Sequence, residues 1–137
     1  MSVGYSGKPP YAKLGLAEGA VVAVVGFEGD YSALVQAPFP VTAAGGPPWQ
    51  FVHLFVRSRA ELQAWVTGTD NEITPDGVLW VSWPKRSSAV SSDVDENVLR
   101  ECALPIGLVD IKVCAIDSVW SALKFVVRKE LRPCWGP

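Results

Sequence analysis

The sequence is poor in the residues that mark several common classes of protein. It holds three cysteines, an odd number with no Cys-x-x-Cys pair, so neither a disulfide framework nor a zinc site is predicted. Its one histidine, His53, lies in the apolar run QFVHLFV, where a packed side chain is more common than a catalytic base. The Gly-x-Ser-x-Gly nucleophile elbow is also missing. These gaps predict no catalytic residue and no metal site, and they favour a protein that is not an enzyme over one that is.

Long hydrophobic runs and an excess of one charge are missing as well. The longest apolar run, residues 20–27, is too short to cross a bilayer, and the first residues lack the pattern of a secretory signal. A net charge of −2 does not suit a general nucleic-acid binder, which needs a basic surface. With unpaired cysteines added, the sequence predicts a cytoplasmic protein that binds neither nucleic acid nor membrane.

The residues that are present indicate one packed domain. Of the 137 residues 49% are hydrophobic and 19% are charged, which is typical of a globular chain able to bury a core. Residues 1–19 are rich in glycine, proline and lysine. We therefore predict an N-terminal arm at 1–19, a single α/β domain at 20–132 and a tail at 133–137.

Alternating strand and helix signals run through the first two thirds of the chain. Residues 20–26 and 50–56 are apolar on both alternations, a pattern typical of parallel strands covered on both faces. Asp30 is placed to cap a short helix, and Ser58 with Glu61 has the spacing of a capping box. These signals predict strand–helix units in series.

The last third of the chain has a different pattern. The residues TPDG (74–77) predict a turn into the strand VLWVSW, and residues 91–105 predict a helix that stops before Pro105. Residues 109–117 and 121–129 then alternate apolar with charged side chains, which indicates an antiparallel hairpin. The predicted fold is a three-layer, Rossmann-like α/β domain, mostly parallel, with a C-terminal antiparallel hairpin.

Several motifs carry a resemblance to known families. ITPDGVLWVSW resembles the step into the fifth strand of class I methyltransferases, and LPIGLVDIKVC resembles the turn into their sixth strand. More of the chain resembles a bacterial family known only as a domain of unknown function, through the motifs GYSGKPPYAKLGL, HLFVRSRAEL, LWVSWPK and GLVDIKVCAIDSVWSALKFVVRK. The resemblance implies a methyltransferase-like architecture with one strand–helix unit shortened, and it implies no catalytic residue.

A ligand site is predicted where the parallel strands end. Open α/β sheets bind ligands outside the carboxyl ends of their strands, and three segments of the chain should converge there. Phe27 and Trp83 would supply apolar walls, while Arg57, Lys85 and Arg86 would contact an anion. The alternative is a set of loops that are polar for solubility alone. The predicted site comprises Gly26, Phe27, Glu28, Arg57, Trp83, Lys85 and Arg86.

The same region lacks two features of a nucleotide-type cofactor site. The turn GFEGD (26–30) has no Gly-x-Gly, and no aspartate or glutamate occurs from Tyr31 to Ala60. An acid at the end of the second strand would be needed to bind the ribose hydroxyls. The sequence therefore predicts no cofactor and does not favour S-adenosylmethionine or NAD.

Three functions remain open. The favoured one is a non-catalytic module that binds a small anionic ligand or a partner protein. The alternatives are a methyltransferase-like transferase with an atypical cofactor site and a structural protein that associates with itself. Tryptophan outside a core favours an interface, and three tryptophans are predicted at strand ends, turns or the tail: Trp49, Trp120 and Trp135.

Overall fold

A six-stranded mixed sheet forms the centre of the molecule. The computed structural model describes residues 7–68 and 72–135. The strands are β1 (Val21–Val25), β2 (Thr42–Ala43), β3 (Trp49–Phe55), β4 (Ile73–Pro84), β5 (Leu108–Ala115) and β6 (Trp120–Val127). Their order is β2-β1-β3-β4-β6-β5. The pairs among β1, β2, β3 and β4 are parallel, whereas β6 is antiparallel to both β4 and β5. The predicted α/β class and the C-terminal hairpin are therefore confirmed.

Short helices connect and cover the strands. They are α1 (Pro10–Leu14), α2 (Tyr31–Leu34), α3 (Arg59–Val66) and α4 (Glu96–Ala103), with 3-10 turns at Leu104–Ile106 and Lys129–Cys134. The carboxylate of Asp30 accepts a hydrogen bond from the amide of Ala33, and the capping box between Ser58 and Glu61 is complete. Both predicted caps are therefore present. Among the described residues, no helix has the length and apolar character needed to cross a membrane.

Alternate strand residues pack into two clusters on opposite faces of the sheet. One cluster, called here the α3-side cluster, joins residues such as Leu54 and Leu79 to Leu62 of α3 and Leu99 of α4. The other, the α1-side cluster, joins the arm and α2 to the opposite alternation of the same strands. Its fully buried or nearly buried members are Leu14, Leu16, Val22, Tyr31, Val35, Phe55, Trp80, Ile116, Trp120 and Ala122.

The predicted arm packs on the sheet through helix α1. Leu14 is 1% exposed, and its carbonyl oxygen accepts a hydrogen bond from the indole nitrogen of Trp80 at 3.2 Å. The ammonium group of Lys112 donates to the carbonyl of Lys13 at 3.0 Å. The ammonium group of Lys13 also donates to the carbonyl of Ala115 at 3.3 Å, so three hydrogen bonds tie the arm to the sheet. Residues 1–6 of the predicted arm and 136–137 of the predicted tail lie outside the described residues.

The turn predicted at residues 74–77 lies inside strand β4. Trp49 of β3 pairs with Ile73, but Phe51 pairs with Val78, so β4 contains extra residues between the two pairings. The segment bulges out and then rejoins β3, and the strand continues on both sides of it. A side chain on Gly77 would crowd Thr74, which is why glycine fits at this bulge. The predicted turn is thus an irregularity within a longer strand.

Candidate functional site

The strand order places a topological switch point between β1 and β3. After β1 the chain passes to β2 on one side of it and then returns to β3 on the other side. Because β1, β3 and β4 are parallel, Gly26, Val56 and Lys85 follow their ends at one edge of the sheet. We call this the carboxyl edge. The crevice at such a switch point is the usual ligand position in open α/β sheets.

Gly26 brings the end of β1 against the end of β3. Its φ of +85° lies in the left-handed region that favours glycine. A Cβ atom at this position would collide with the carbonyl oxygen of Phe55. The close approach of the two backbones therefore explains why glycine occupies position 26, and it shapes this edge of the sheet.

Aromatic rings pack together into a platform at the carboxyl edge. The ring of Phe27 lies 4.9 Å from that of Phe55, and Phe55 meets the edge of Trp120 at 5.1 Å. His53 stacks on the other side of Phe55 with 4.3 Å between centroids. Such offset and edge-to-face contacts are the preferred geometries of aromatic pairs. Phe27 thus packs on Phe55, and Phe55 in turn contacts Trp120, while the role of Phe27 as a ligand wall stays a prediction.

Arg57 lies above this platform. Its guanidinium carbon is 5.1 Å from the centroid of the Trp120 ring, and Nη1 donates to the carbonyl of Gly26 at a long 3.4 Å. No carboxylate in residues 7–68 or 72–135 forms a salt bridge with it. A planar guanidinium stacked on an indole keeps most of its donors available for a carboxylate or phosphate.

The loop after β4 begins next to the turn that precedes β6. The amide of Lys85 donates to the carbonyl of Val119 at 2.7 Å, so the backbone of Lys85 is held beside the residue that precedes Trp120. Arg86 lies further out, with its side chain 92% exposed and 3.6 Å from the carboxylate of Asp95. Residues 84–95 enclose a polar cavity of about 500 Å³. Both Lys85 and Arg86 therefore line this loop cavity.

Two other predicted site residues, Trp83 and Glu28, do not join the group around Phe27 and Arg57. Trp83 is 7% exposed and packs in the α3-side cluster, on the face opposite to Phe27. It is part of the core rather than a wall beside Phe27, because successive residues of β4 point to opposite faces. Glu28 is exposed in the turn that follows Phe27. The structure thus brings together Gly26, Phe27 and Arg57, with the backbone of Lys85 nearby.

Trp120, which the sequence placed with Trp49 and Trp135 at strand ends, turns or the tail, contacts both Phe55 and Arg57. It begins β6 and pairs with Pro84 at the end of β4. In an antiparallel pair the start of one strand lies at the end of the other, so Trp120 reaches the carboxyl edge. Asp117 accepts hydrogen bonds from the amides of Val119 and Trp120, at 2.9 and 2.8 Å. Its role in the turn is therefore structural.

A buried polar chain runs beneath the platform. The hydroxyl of Tyr31 lies 2.6 Å from Nδ1 of His53, and Nε2 of His53 lies 2.7 Å from the hydroxyl of Ser82. Burial lowers the pKa of His53 to about 3 and raises that of Tyr31, so both are neutral at pH 7. His53 and Ser82 are 0% exposed. The prediction that His53 packs in the core is confirmed. The buried side chains of His53 and Ser82 are out of reach of a substrate.

The second strand contributes nothing to the carboxyl edge. β2 has two residues, and its register pairs Ala43 with Val22 near the start of β1. The chain then leaves the sheet at the level of Val22, so three further residues of β1 separate the end of β2 from Gly26. No ribose-binding acid is offered from this position, because β2 does not reach the edge.

The described residues give no sign of a metal centre. No group of three or more histidine, cysteine, aspartate or glutamate side chains in them could hold a metal ion. Cys102 is buried, Cys114 is half-buried and Cys134 is exposed, and none forms a disulfide.

Comparison with known proteins finds likeness in structure alone. No family model matches the chain, and no curated protein matches it. Solved structures that resemble it include LepI in complex with SAM, at 15% identity and a TM-score of 0.45, and a pericyclic reaction enzyme, at 14% and 0.42. A LepI variant in complex with SAH and a substrate analogue matches at 15% and 0.44. Each match covers 86% of this chain and 39% of the other, so this chain spans about two fifths of their length.

These matches correct one prediction and leave another as it was. The prediction of no cofactor, with S-adenosylmethionine not favoured, is contradicted, since two of the three similar structures are complexes with SAM or SAH. The resemblance to a bacterial family of unknown function stays a prediction. At 14–15% identity the likeness does not extend to site residues.

Proposed function

We propose that the chain is a transferase-like domain that binds a small ligand at the carboxyl edge between β1 and β3. The ligand has a carboxylate or phosphate group for Arg57 and an apolar or aromatic part for the half-buried ring of Phe27. The helices on both faces of the sheet support the three-layer, Rossmann-like form of this domain.

One observation carries the proposal. The guanidinium of Arg57 is held on Trp120 at the topological switch point and forms no salt bridge within the described part of the chain. Two arginines in the helices differ from Arg57 because they form salt bridges. Arg59 pairs with Glu101 at 2.7 Å, and Arg100 pairs with Asp110 at 3.0 Å. Arg57 is thus an oriented cation whose guanidinium has N–H donors available to a ligand. It lies at the topological switch point, where open α/β sheets bind their ligands.

The edge fits one part of S-adenosylmethionine better than another. Arg57 offers a partner for its carboxylate, and aromatic faces attract organic cations such as a sulfonium. The ribose would find no acid from β2, because that strand ends at the level of Val22. S-adenosylmethionine and S-adenosylhomocysteine, the ligands of the similar structures, are therefore tested beside simpler anions.

Thermal shift of the full chain tests the proposal. The panel contains S-adenosylmethionine, S-adenosylhomocysteine, NAD(P) and phosphorylated metabolites, measured on the wild type, Arg57→Gln and Arg59→Gln. A ligand at a hundred times its Kd stabilises the fold by about 2.7 kcal/mol and moves Tm by several degrees. We expect a shift that is lost in Arg57→Gln and kept in Arg59→Gln, the matched control for an exposed arginine two residues away.

The outcomes separate the predicted functions. A shift with the two methionine derivatives that depends on Arg57 supports the transferase proposal. A shift that depends on Arg57 but is confined to the phosphorylated metabolites keeps the proposed site and favours the non-catalytic module over the transferase. If no ligand moves Tm, or if the shift survives in Arg57→Gln, the proposed site is wrong.

A further inference from the structure

A second cavity lies at the opposite, amino edge of the sheet. It has a volume of about 580 Å³, within the usual range for small-molecule sites. Its wall combines the start of β1, the loop after β2, the start of β3 and the bulge of β4. The lining residues used below are Val21, Gly45, Trp49, Phe51, Asp76 and Val78. β3 spans seven residues, so about 20 Å separate this amino-edge cavity from the carboxyl edge.

Hydrogen bonds hold the wall of this cavity in place. The indole nitrogen of Trp49 donates to the carbonyl of Gly45 at 2.6 Å, which fixes the ring against the loop after β2. The amide of Ala44 donates to the carbonyl of Val22 at 3.0 Å and ties that loop to β1. Side chains at Gly45 and Gly46 would meet nothing within 4 Å, so these residues leave the cavity open. The cavity is thus a built feature of the backbone.

The lining combines apolar side chains with polar groups, among them Gln50, and carries one charge. Val21 is 53% exposed and is one of only a few large hydrophobic side chains so exposed in the described chain, and Phe51 and Val78 line the same space. Asp76 is the one charged residue among those that line the cavity. Its carboxylate accepts from the hydroxyl of Thr74 at 3.0 Å, and no described cation forms a salt bridge with it. An anionic ligand would therefore be repelled.

We propose that the amino-edge cavity binds a small organic cation, an ammonium group on an apolar body. The carboxylate of Asp76 pairs with the charge, and the indole of Trp49 offers its face to the same cation or to the apolar body. Charge complementarity selects this ligand over an anion, and the apolar side chains of Val21, Phe51 and Val78 favour it over a hydrated metal ion. The inference is independent of the carboxyl edge.

NMR titration with three isosteric probes tests the inference. The probes are benzylammonium, benzyl alcohol and benzoate, added to the ¹⁵N-labelled full chain while the amides of Gly45 and Gly46 and the indole N–H of Trp49 are followed. We expect saturable shifts with benzylammonium and much smaller ones with the neutral and anionic probes. Asp76→Asn should weaken binding by roughly fivefold, the size expected for an exposed charge contact.

Matched variants and protein dilution complete the experiment. Glu28→Gln removes an acid at the opposite edge and should leave the Kd of benzylammonium unchanged. Equal shifts with all three probes, or no saturable shift, would overturn the inference. If these amides instead shift on dilution of the protein alone, the cavity is an interface between copies of the chain and the inference is wrong.

Discussion

The two faces of the sheet are covered by different helices and buried by different types of side chain. The α3-side face is covered by α3 and α4, eight residues each, and its cluster is rich in leucine and valine. The α1-side face is covered by α1 and α2, of five and four residues, and is filled by large rings. Only the second face holds the chain Tyr31–His53–Ser82 and supports the candidate site. The face with less helix therefore depends more on aromatic contacts and buried hydrogen bonds.

The largest expected effect lies on the α3-side face. Leu99 is 0% exposed in α4, and Leu99→Ala should lower the free energy of unfolding by about 3 kcal/mol, through lost burial and a new cavity. Chemical denaturation at pH 7 and pH 5 measures the loss. Because no titrating group is involved, the loss should be the same at both pH values. A loss that changes with pH would contradict the separation of the two faces.

Acid should destabilise the α1-side face through His53. The pKa of His53 is about 3 in the fold and near 6.5 when unfolded, so the unfolded state binds an extra proton between these values. Stability is therefore complete above pH 6.5 and falls by about 1.4 kcal/mol per pH unit below it. From pH 6.5 to pH 5 the free energy of unfolding should drop by about 2 kcal/mol. The variant His53→Gln should lack this slope, and a wild type with constant stability over this window would disprove the account.

Removal of one hydroxyl gives a smaller test of the same chain. Tyr31→Phe leaves Nδ1 of His53 without its partner in a buried position, which should cost about 1–2 kcal/mol. The free energy of unfolding is measured beside that of Tyr11→Phe, a matched control whose ring contacts Phe39 in the same cluster. If both variants lose equally little, the Tyr31–His53 hydrogen bond does not stabilise the fold.

The elements that the sequence predicted well depend on local signals. The caps at Asp30 and Ser58 involve residues three positions apart, and the hairpin of β5 and β6 follows from alternation within one segment. Gly26, Phe27 and Arg57 lie at one edge of the sheet as expected, because the ends of parallel strands share an edge, and their role in a ligand site stays a prediction. Trp83 was misplaced because the choice of face depends on the register of β4, and its neighbours in β3 and β6 set that register.

What the sequence determined by itself is the set of strands and helices, since short-range periodicity and capping specify them. The tertiary structure alone decided which side chains meet. His53 bonds to partners 22 and 29 residues away, and Arg57 lies on Trp120 because the antiparallel β6 begins where β4 ends. The amino-edge cavity likewise combines four segments that no local pattern connects. The physical reason is that packing and strand register join residues distant in the chain, while propensity acts only between near neighbours.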